Sequence, residues 1–220
     1  MKPEKMTVLE GLAARRSCRV FKADPIPAEL LTSVFRAASL TPSAKNAQPW
    51  ESYVLAGEAL NRLRGEIAGA LERGETASLH GRQEGENRLA RTRDLGAAMA
   101  PFLARQDWES GQFIGRCLRF FDAPAAAIIC ADEPVRPFHD LDVGMYTQSL
   151  CLAAAAYGLS SCILGYPLLA EPAIRRVLKL PEERKILISV ALGYADESAP
   201  LAQFRSGRVP LEENVHFLFR

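Results

Sequence analysis

Residues 15–19, Arg-Arg-Ser-Cys-Arg, put three guanidiniums and one hydroxyl within five positions. A planar guanidinium fork matches a phosphate dianion, and the Ser17 hydroxyl adds a donor. An anion site is one reading. The other is structural: basic residues at a helix C-terminus complement the helix dipole, and on this cluster alone that reading is the stronger. A second stretch, TPSAKNAQPW at residues 41–50, sets Ser43, Asn46 and Gln48 between Pro42 and Pro49, with Trp50 at its end. Polar side chains between two prolines suit a connecting loop that presents groups to a ligand.

Other chemistries lack their residues. There is no G-x-G-x-x-G and no G-x-x-x-x-G-K-[ST], so neither a Rossmann nor a P-loop nucleotide site is supported. Five cysteines, Cys18, Cys117, Cys130, Cys151 and Cys162, are scattered without a C-x-x-C pair, which supports neither a zinc ribbon nor a dithiol motif. Cys130 and Cys151 have apolar neighbours and read as small core residues. His80, His139 and His216 are far apart in the chain, and no nucleophile elbow occurs. Asp140 and Asp142 read as first-turn acids of a helix rather than metal ligands. No catalytic side chain and no metal site is nominated.

The elements that must position these stretches follow from local pattern. Thr7 with Glu10 three residues on is a capping box, and Val8, Leu9, Leu12 and Ala13 form an apolar stripe, so a helix is expected to end near residues 15–17. Pro27 suits the first turn of a second helix with Leu30, Leu31, Val34, Ala37 and Ala38 inward, stopped by Pro42. Strands are expected at 51–57, 125–132, 160–166 and 185–195. Residues 140–159 read as a long helix, apolar almost all round from Leu150, needing cover on all sides and ending at Gly158. Residues 58–120 are rich in Arg, Glu, Gly and Ala and predict two or three loosely packed helices. Within them, residues 75–115 read as a mobile cover, with Phe102, Trp108 and Phe113 candidates for shaping acceptor choice.

The whole suits a single domain, residues 1–220, with a helical excursion at about 58–120. With 27 basic against 26 acidic residues the formal charge is +1, which argues against nonspecific nucleic-acid or polybasic membrane binding. No run is long and apolar enough to span a membrane, and the N-terminus lacks a signal-peptide core, so a cytoplasmic protein is expected.

In order along the chain, RRSCRVF, TPSAKNAQPW about 25 residues later, LAAAAYGLSSCILGY, LGYAD and RSGRVPLEE resemble the nitroreductase family of FMN-dependent NAD(P)H oxidoreductases. The middle, LARTRD, DWE and RFFDAP, looks closest to the nitrobenzoate-reductase-like subgroup. The resemblance implies an α+β fold, a mostly antiparallel sheet wrapped by helices. It also implies a homodimer with FMN at the subunit interface and a C-terminal tail that reaches the partner. Arg15 and Ser17 match residues that grip the FMN phosphate, and Arg16 would add a backbone donor. Arg19 matches a cation near the pyrimidine edge of the ring. Pro42 and Ser43 would pack on the isoalloxazine from the partner subunit, and Asn46 would bond the ring edge or ribityl chain. Trp50 reads as starting a strand and filling the core. Leu164 and Gly165 fall where relatives present a backbone N–H to flavin N5. Arg208 matches a second phosphate arginine. Relatives often carry Lys where Ser206 stands, and Arg205 would substitute from one residue farther. The implied reaction is ping-pong hydride transfer from NAD(P)H through N5 to nitroaromatic, quinone or similar electron-poor acceptors. Its rivals are ene reduction, dehalogenation or flavin fragmentation on the same scaffold, and a non-enzymatic FMN-binding protein.

Overall fold

A computed structural model describes residues 6–77, 86–106, 108, 111–132 and 137–219. Four strands, β1 (Trp50–Ala56), β2 (Ala125–Asp132), β3 (Ser160–Leu164) and β4 (Arg184–Gly193), form one sheet in the order β1-β2-β4-β3, every pair antiparallel. Helices surround it, so the expected α+β architecture holds. In β2, residues 125–131 are all fully buried. Both faces of that strand are therefore covered, which explains its continuous apolar run in place of alternation.

The larger of two compact units spans Met1–His80 and Glu109–Asp196. In it, α1 (Val8–Ala14), α2 (Ala28–Ala38), α3 (Gly57–Glu72) and later helices pack around the sheet. Pro27 sits at the N-cap of α2, whose Leu30, Leu31, Val34 and Ala38 share a core with Val143, Tyr146, Leu150, Cys151 and Ala154 of the long helix α6 (Pro137–Ala156). Next to them, α3 buries Leu60, Leu63 and Ile67 and packs on α7 (Glu171–Leu178). Gly158, at φ +75°, carries the chain out of α6 in a conformation that costs other residues strain.

Two local features depart from pattern. Phe120, Phe121 and Asp122 are consecutive left-handed residues, at φ 57°, 51° and 54°. The buried Arg64 holds this turn, donating Nε to Arg119 O at 3.0 Å and Nη2 to Ala123 O, while Phe120 and Phe121 are buried. Burial pushes the Arg64 guanidinium below its ordinary pKa. The second departure is outward-facing apolar surface. On α1, Val8, Leu9 and Leu12 are 74%, 77% and 49% exposed, and the inward position is Gly11, which lets α1 lie close to Leu152. Likewise the N-terminal part of α6 leaves Leu141 and Gly144 exposed on one side. The stripe expected on α1 is uncovered among the described residues, whereas residues 150–159, expected to need cover on all sides, are buried or half-buried except at Gly158.

The smaller unit, Gly81–Trp108 with Glu197–Arg220, contains α4 (Glu86–Arg105) and the C-terminal segment with α8 (Leu211–Asn214). Phe102 meets Phe204 edge to face at 5.4 Å, Leu201 N–H donates to Gln106 Oε1 at 2.9 Å, and Arg91 pairs with Glu213 at 3.5 Å. Between α3 and α7 the larger unit also carries α5 (Gln112–Leu118). His80 and most of the HGRQEGENR stretch lie outside the described residues.

Candidate functional site

The capping box at Thr7 and Glu10 starts α1, and Arg15 caps its other end in an extended conformation. The chain then runs beside β3. Ser17 bridges Ser161 in parallel, and Cys18 N–H donates to Ser161 O at 2.9 Å. Cys18 is buried, so by strand alternation its neighbours Ser17 and Arg19 point the other way. Arg15 and Arg16 border a small cavity of about 20 Å³ with Cys151, Ala155 and Ser160. Arg19 donates Nη1 to Ser17 O at 3.2 Å, and its guanidinium carbon lies 6.0 Å from the centre of the Phe113 ring. Phe113 in turn meets Phe121 edge-on at 5.6 Å. Among the described residues, neither Arg15 nor Arg19 pairs with a carboxylate.

Farther along β3, Leu164 is buried and its carbonyl accepts from Ser189 Oγ at 2.7 Å. Ser189, fully buried, stands opposite Leu164 on β4. A trans peptide is planar, so fixing this carbonyl also fixes the Gly165 N–H on its far side. Space is open there: a Cβ added to Gly165 would meet nothing within 4 Å.

The 41–50 loop is strained. Lys45, Asn46 and Gln48 all have positive φ, at 55°, 56° and 46°. Each left-handed non-glycine residue costs of order 1 kcal/mol or more unless its surroundings compensate. Two contacts do so. Gln48 N–H donates to Ser43 Oγ at 2.9 Å, and Ala44 N–H donates to both carboxylate oxygens of Asp142, at 3.1 and 3.2 Å. Asp142 is 2% exposed. Its reading as a first-turn acid is therefore corrected. Asp140 alone occupies that position in α6, because the helix begins at Pro137 and turns Asp142 inward. Trp50 stacks on Tyr146 with ring centres 4.8 Å apart, and Tyr146 shares a 3.0 Å hydrogen bond with Ser52, so Trp50 starts β1 and fills the core as expected. Asn46 is exposed, and Pro42, also exposed, borders an open groove of about 590 Å³ whose lining includes Leu141, Gly144, Met145 and Gln148.

These groups do not form one cluster. Asp142 and the loop sit at the N-terminal half of α6, while Arg15 and Arg16 adjoin Cys151 and Ala155. At 1.5 Å per residue those positions are about 14–20 Å apart along the axis. In the smaller unit, Arg208 donates Nη1 to Ser206 O, Ser206 Oγ and Gly207 O at 3.1, 2.9 and 2.8 Å, beside a cleft of about 500 Å³. Arg205 donates to Ala202 O at 2.7 Å and Phe204 O at 3.0 Å.

Thiol chemistry is disfavoured. All five cysteines are free and buried, and burial pushes Cys117 up to about 11 and Cys130 and Cys162 up to about 12. At neutral pH Cys117, Cys130 and Cys162 therefore stay protonated and are poor nucleophiles. Among the described residues no group of His, Cys, Asp and Glu could hold a metal ion, and no helix is long and apolar enough to cross a membrane. Sequence reasoning missed Asp142 as an anchor and Ser189. For Asp142 a signal was present, since residues 142, 146 and 150 share one helix face with buried Tyr146 and Leu150.

The family model described as "Nitroreductase family" matches residues 12–194. The chain is 33% identical to the chloronitrobenzene nitroreductase of Comamonas testosteroni, covering 93% of each, and 30% identical to the 4-nitrobenzoate reductase of a Nocardioides species, covering 93% of this chain and 87% of that protein. Among solved structures, the FMN-dependent nitroreductase NfnB from Mycobacterium smegmatis in complex with NADPH superposes with a TM-score of 0.88 at 28% identity, covering 96% and 97% of the two chains. Sequence, family match and backbone agree: the chain belongs to the nitroreductase family.

Proposed function

We propose that this protein is an FMN-dependent NAD(P)H oxidoreductase that reduces nitroaromatic, quinone or related electron-poor acceptors, working as a cytoplasmic homodimer with each FMN held between subunits. The observation that carries the proposal is the strip along β3. It sets Arg15, Ser17 and Arg19 at one end and the open Gly165 N–H at the other. The donor set fits FMN. The Arg15 and Arg19 guanidiniums, without carboxylate partners among the described residues, and a Ser17 hydroxyl suit a phosphate dianion, and a fixed N–H beside open space suits a ring nitrogen.

Bound FMN supplies a hydride acceptor and donor at N5, which lets reductant and acceptor react in turn at one face. The protein's part is grip and orientation. Arg15 and Ser17, with Arg16 adding a backbone donor, would hold the phosphate, and Arg205 and Arg208 would add guanidiniums from the C-terminal segment. Arg19 would place a cation at the pyrimidine edge and favour its anionic reduced form. Leu164, locked by Ser189, would aim the Gly165 N–H. Pro42, Ser43 and Asn46 would flank the ring.

Two features support a shared site. The 14–20 Å between loop and grip, about the span given above, suits a loop that serves the neighbouring subunit's flavin. Apolar surface is also left for a second copy: the α1 stripe, the open side of α6, and Phe217, Leu218 and Phe219 at 63%, 88% and 86% exposure. The test is optical. Purified protein should be yellow, bleach with NADPH under anaerobic conditions and recolour on adding 4-nitrobenzoate. Yellow protein that NADPH leaves unbleached overturns the reductase, and colourless protein that takes up no FMN overturns the cofactor.

A further inference from the structure

We infer that Asp142 is a positioning residue: its carboxylate clamps the Ala44 N–H and holds the 43–48 loop in the strained shape that presents Ser43 and Asn46 to the flavin. The presentation to flavin rests on the proposed function; the clamp does not. A carboxylate only 2% exposed needs strong partners, because burying a charge costs several kcal/mol unless hydrogen bonds compensate. Among the described residues, the donor to Asp142 is one backbone N–H, received by both oxygens at 3.1 and 3.2 Å across 98 positions of sequence. That N–H belongs to the residue directly before Lys45 and Asn46, which are both left-handed. The loop has no glycine to relieve this geometry. Its internal support is the Ser43–Gln48 bond at 2.9 Å, a long 3.4 Å bond from Gln48 Nε2 to Asn46 O, and two backbone bonds of one tight turn, Asn46 N–H to Ser43 O at 3.0 Å and Ala47 N–H to Ala44 O at 3.1 Å. The fixed end is well anchored, since α6 also carries Tyr146, stacked on Trp50 where the loop enters β1. Asp142 and Tyr146 thus hold the loop at both ends from one helix face. An apolar residue at 142 would leave the Ala44 N–H without this acceptor and the loop freer to relax, so the buried carboxylate is explained by the loop it holds.

The test uses a protease that cuts only after lysine. Lys45 lies in the loop and is exposed. Lys179, also exposed and left-handed at φ 52°, ends α7 and serves as an internal reference for unfolding elsewhere. In FMN-free Asp142→Leu, cleavage after Lys45 should accelerate about tenfold relative to cleavage after Lys179, and in Asp142→Asn, which keeps one acceptor oxygen, by a smaller factor. FMN affinity measured by fluorescence should fall in the same order, about tenfold for Asp142→Leu. Asp140→Asn, at an exposed position, should match wild type in both assays. If Asp142→Leu does not fold, the cleavage ratio of Asp142→Asn decides. An unchanged Lys45-to-Lys179 ratio in the folded variants overturns the clamp. An altered ratio with wild-type FMN affinity overturns the presentation to flavin. Wild-type protein that binds no FMN overturns the proposed function while the cleavage ratio still decides the clamp.

Discussion

Replacing Ser189 with Ala probes the Leu164–Gly165 peptide, whose N–H would face flavin N5 under the proposed function. The hydroxyl donates to Leu164 O at 2.7 Å from a fully buried position on β4, the strand between β2 and β3. Alanine fits the space, so no clash is introduced. The loss is one neutral hydrogen bond plus a buried carbonyl short of a donor, about 1–3 kcal/mol. For a chain of this size each kcal/mol shifts Tm by about 2–4 °C, which gives a fall of roughly 2–12 °C. The same carbonyl belongs to the peptide whose N–H is Gly165, so the FMN-loaded protein should lose more than the FMN-free protein. A ligand stabilises only in proportion to its affinity for the folded state. Calorimetry with and without FMN reads both terms. A Tm within about 1 °C of wild type in both forms refutes the lock, since the bond would then contribute less than a typical hydrogen bond. An equal fall in both forms keeps the bond as a structural one and refutes its role in aiming the N–H.

Arg208→Ala should weaken FMN binding by about 1.5–3 kcal/mol, the scale of a hydrogen bond to a charged group, and retention of FMN through dialysis at the wild-type level removes Arg208 from the site. Gly193→Ala should destabilise by about 1–3 kcal/mol in chemical denaturation, because the new Cβ would lie 2.6 Å from Pro124 Cδ and 2.8 Å from Phe21 Cδ1; an unchanged midpoint would mean that both rings move aside. Burial raises the Cys130 thiol from its ordinary 9.0 to about 12, so its contribution to stability is complete below about pH 9 and is lost as pH rises through about 12. Cys130→Ala should therefore flatten the alkaline limb of a Tm-against-pH curve, and a limb as steep as wild type counts against burial as the cause.

What was legible in the sequence was local. The Thr7–Glu10 capping box, the strand segments, the helix stop at Gly158 and the core role of Trp50 depend on neighbours a few residues away or on apolar pattern. The residues that escaped notice act over distance. Asp142 serves a loop 98 positions away, Ser189 a carbonyl 25 positions away, and Arg64 a turn 55 to 59 positions away. Periodicity names a face but not its partner. For that reason the α1 stripe was read as apolar and yet meets no cover among the described residues. The grouping of α4 with the C-terminal segment was illegible for the same reason, since 197–220 has no pattern that points to residues 81–108.

Subunit mixing tests the shared site most directly. Arg15→Ala damages the phosphate grip and Asn46→Ala damages the loop, and each homodimer should bind FMN poorly. If each flavin takes its grip from one chain and its loop from the other, a mixed dimer carries one doubly damaged site and one intact site. Unfolding and refolding the two variants together, then isolating the mixed dimer with two affinity tags, should recover one tightly bound FMN per dimer and NADPH-dependent reduction of 4-nitrobenzoate. A mixed dimer that binds FMN no better than its parents contradicts the account, because grip and loop would then serve the same flavin from within one chain.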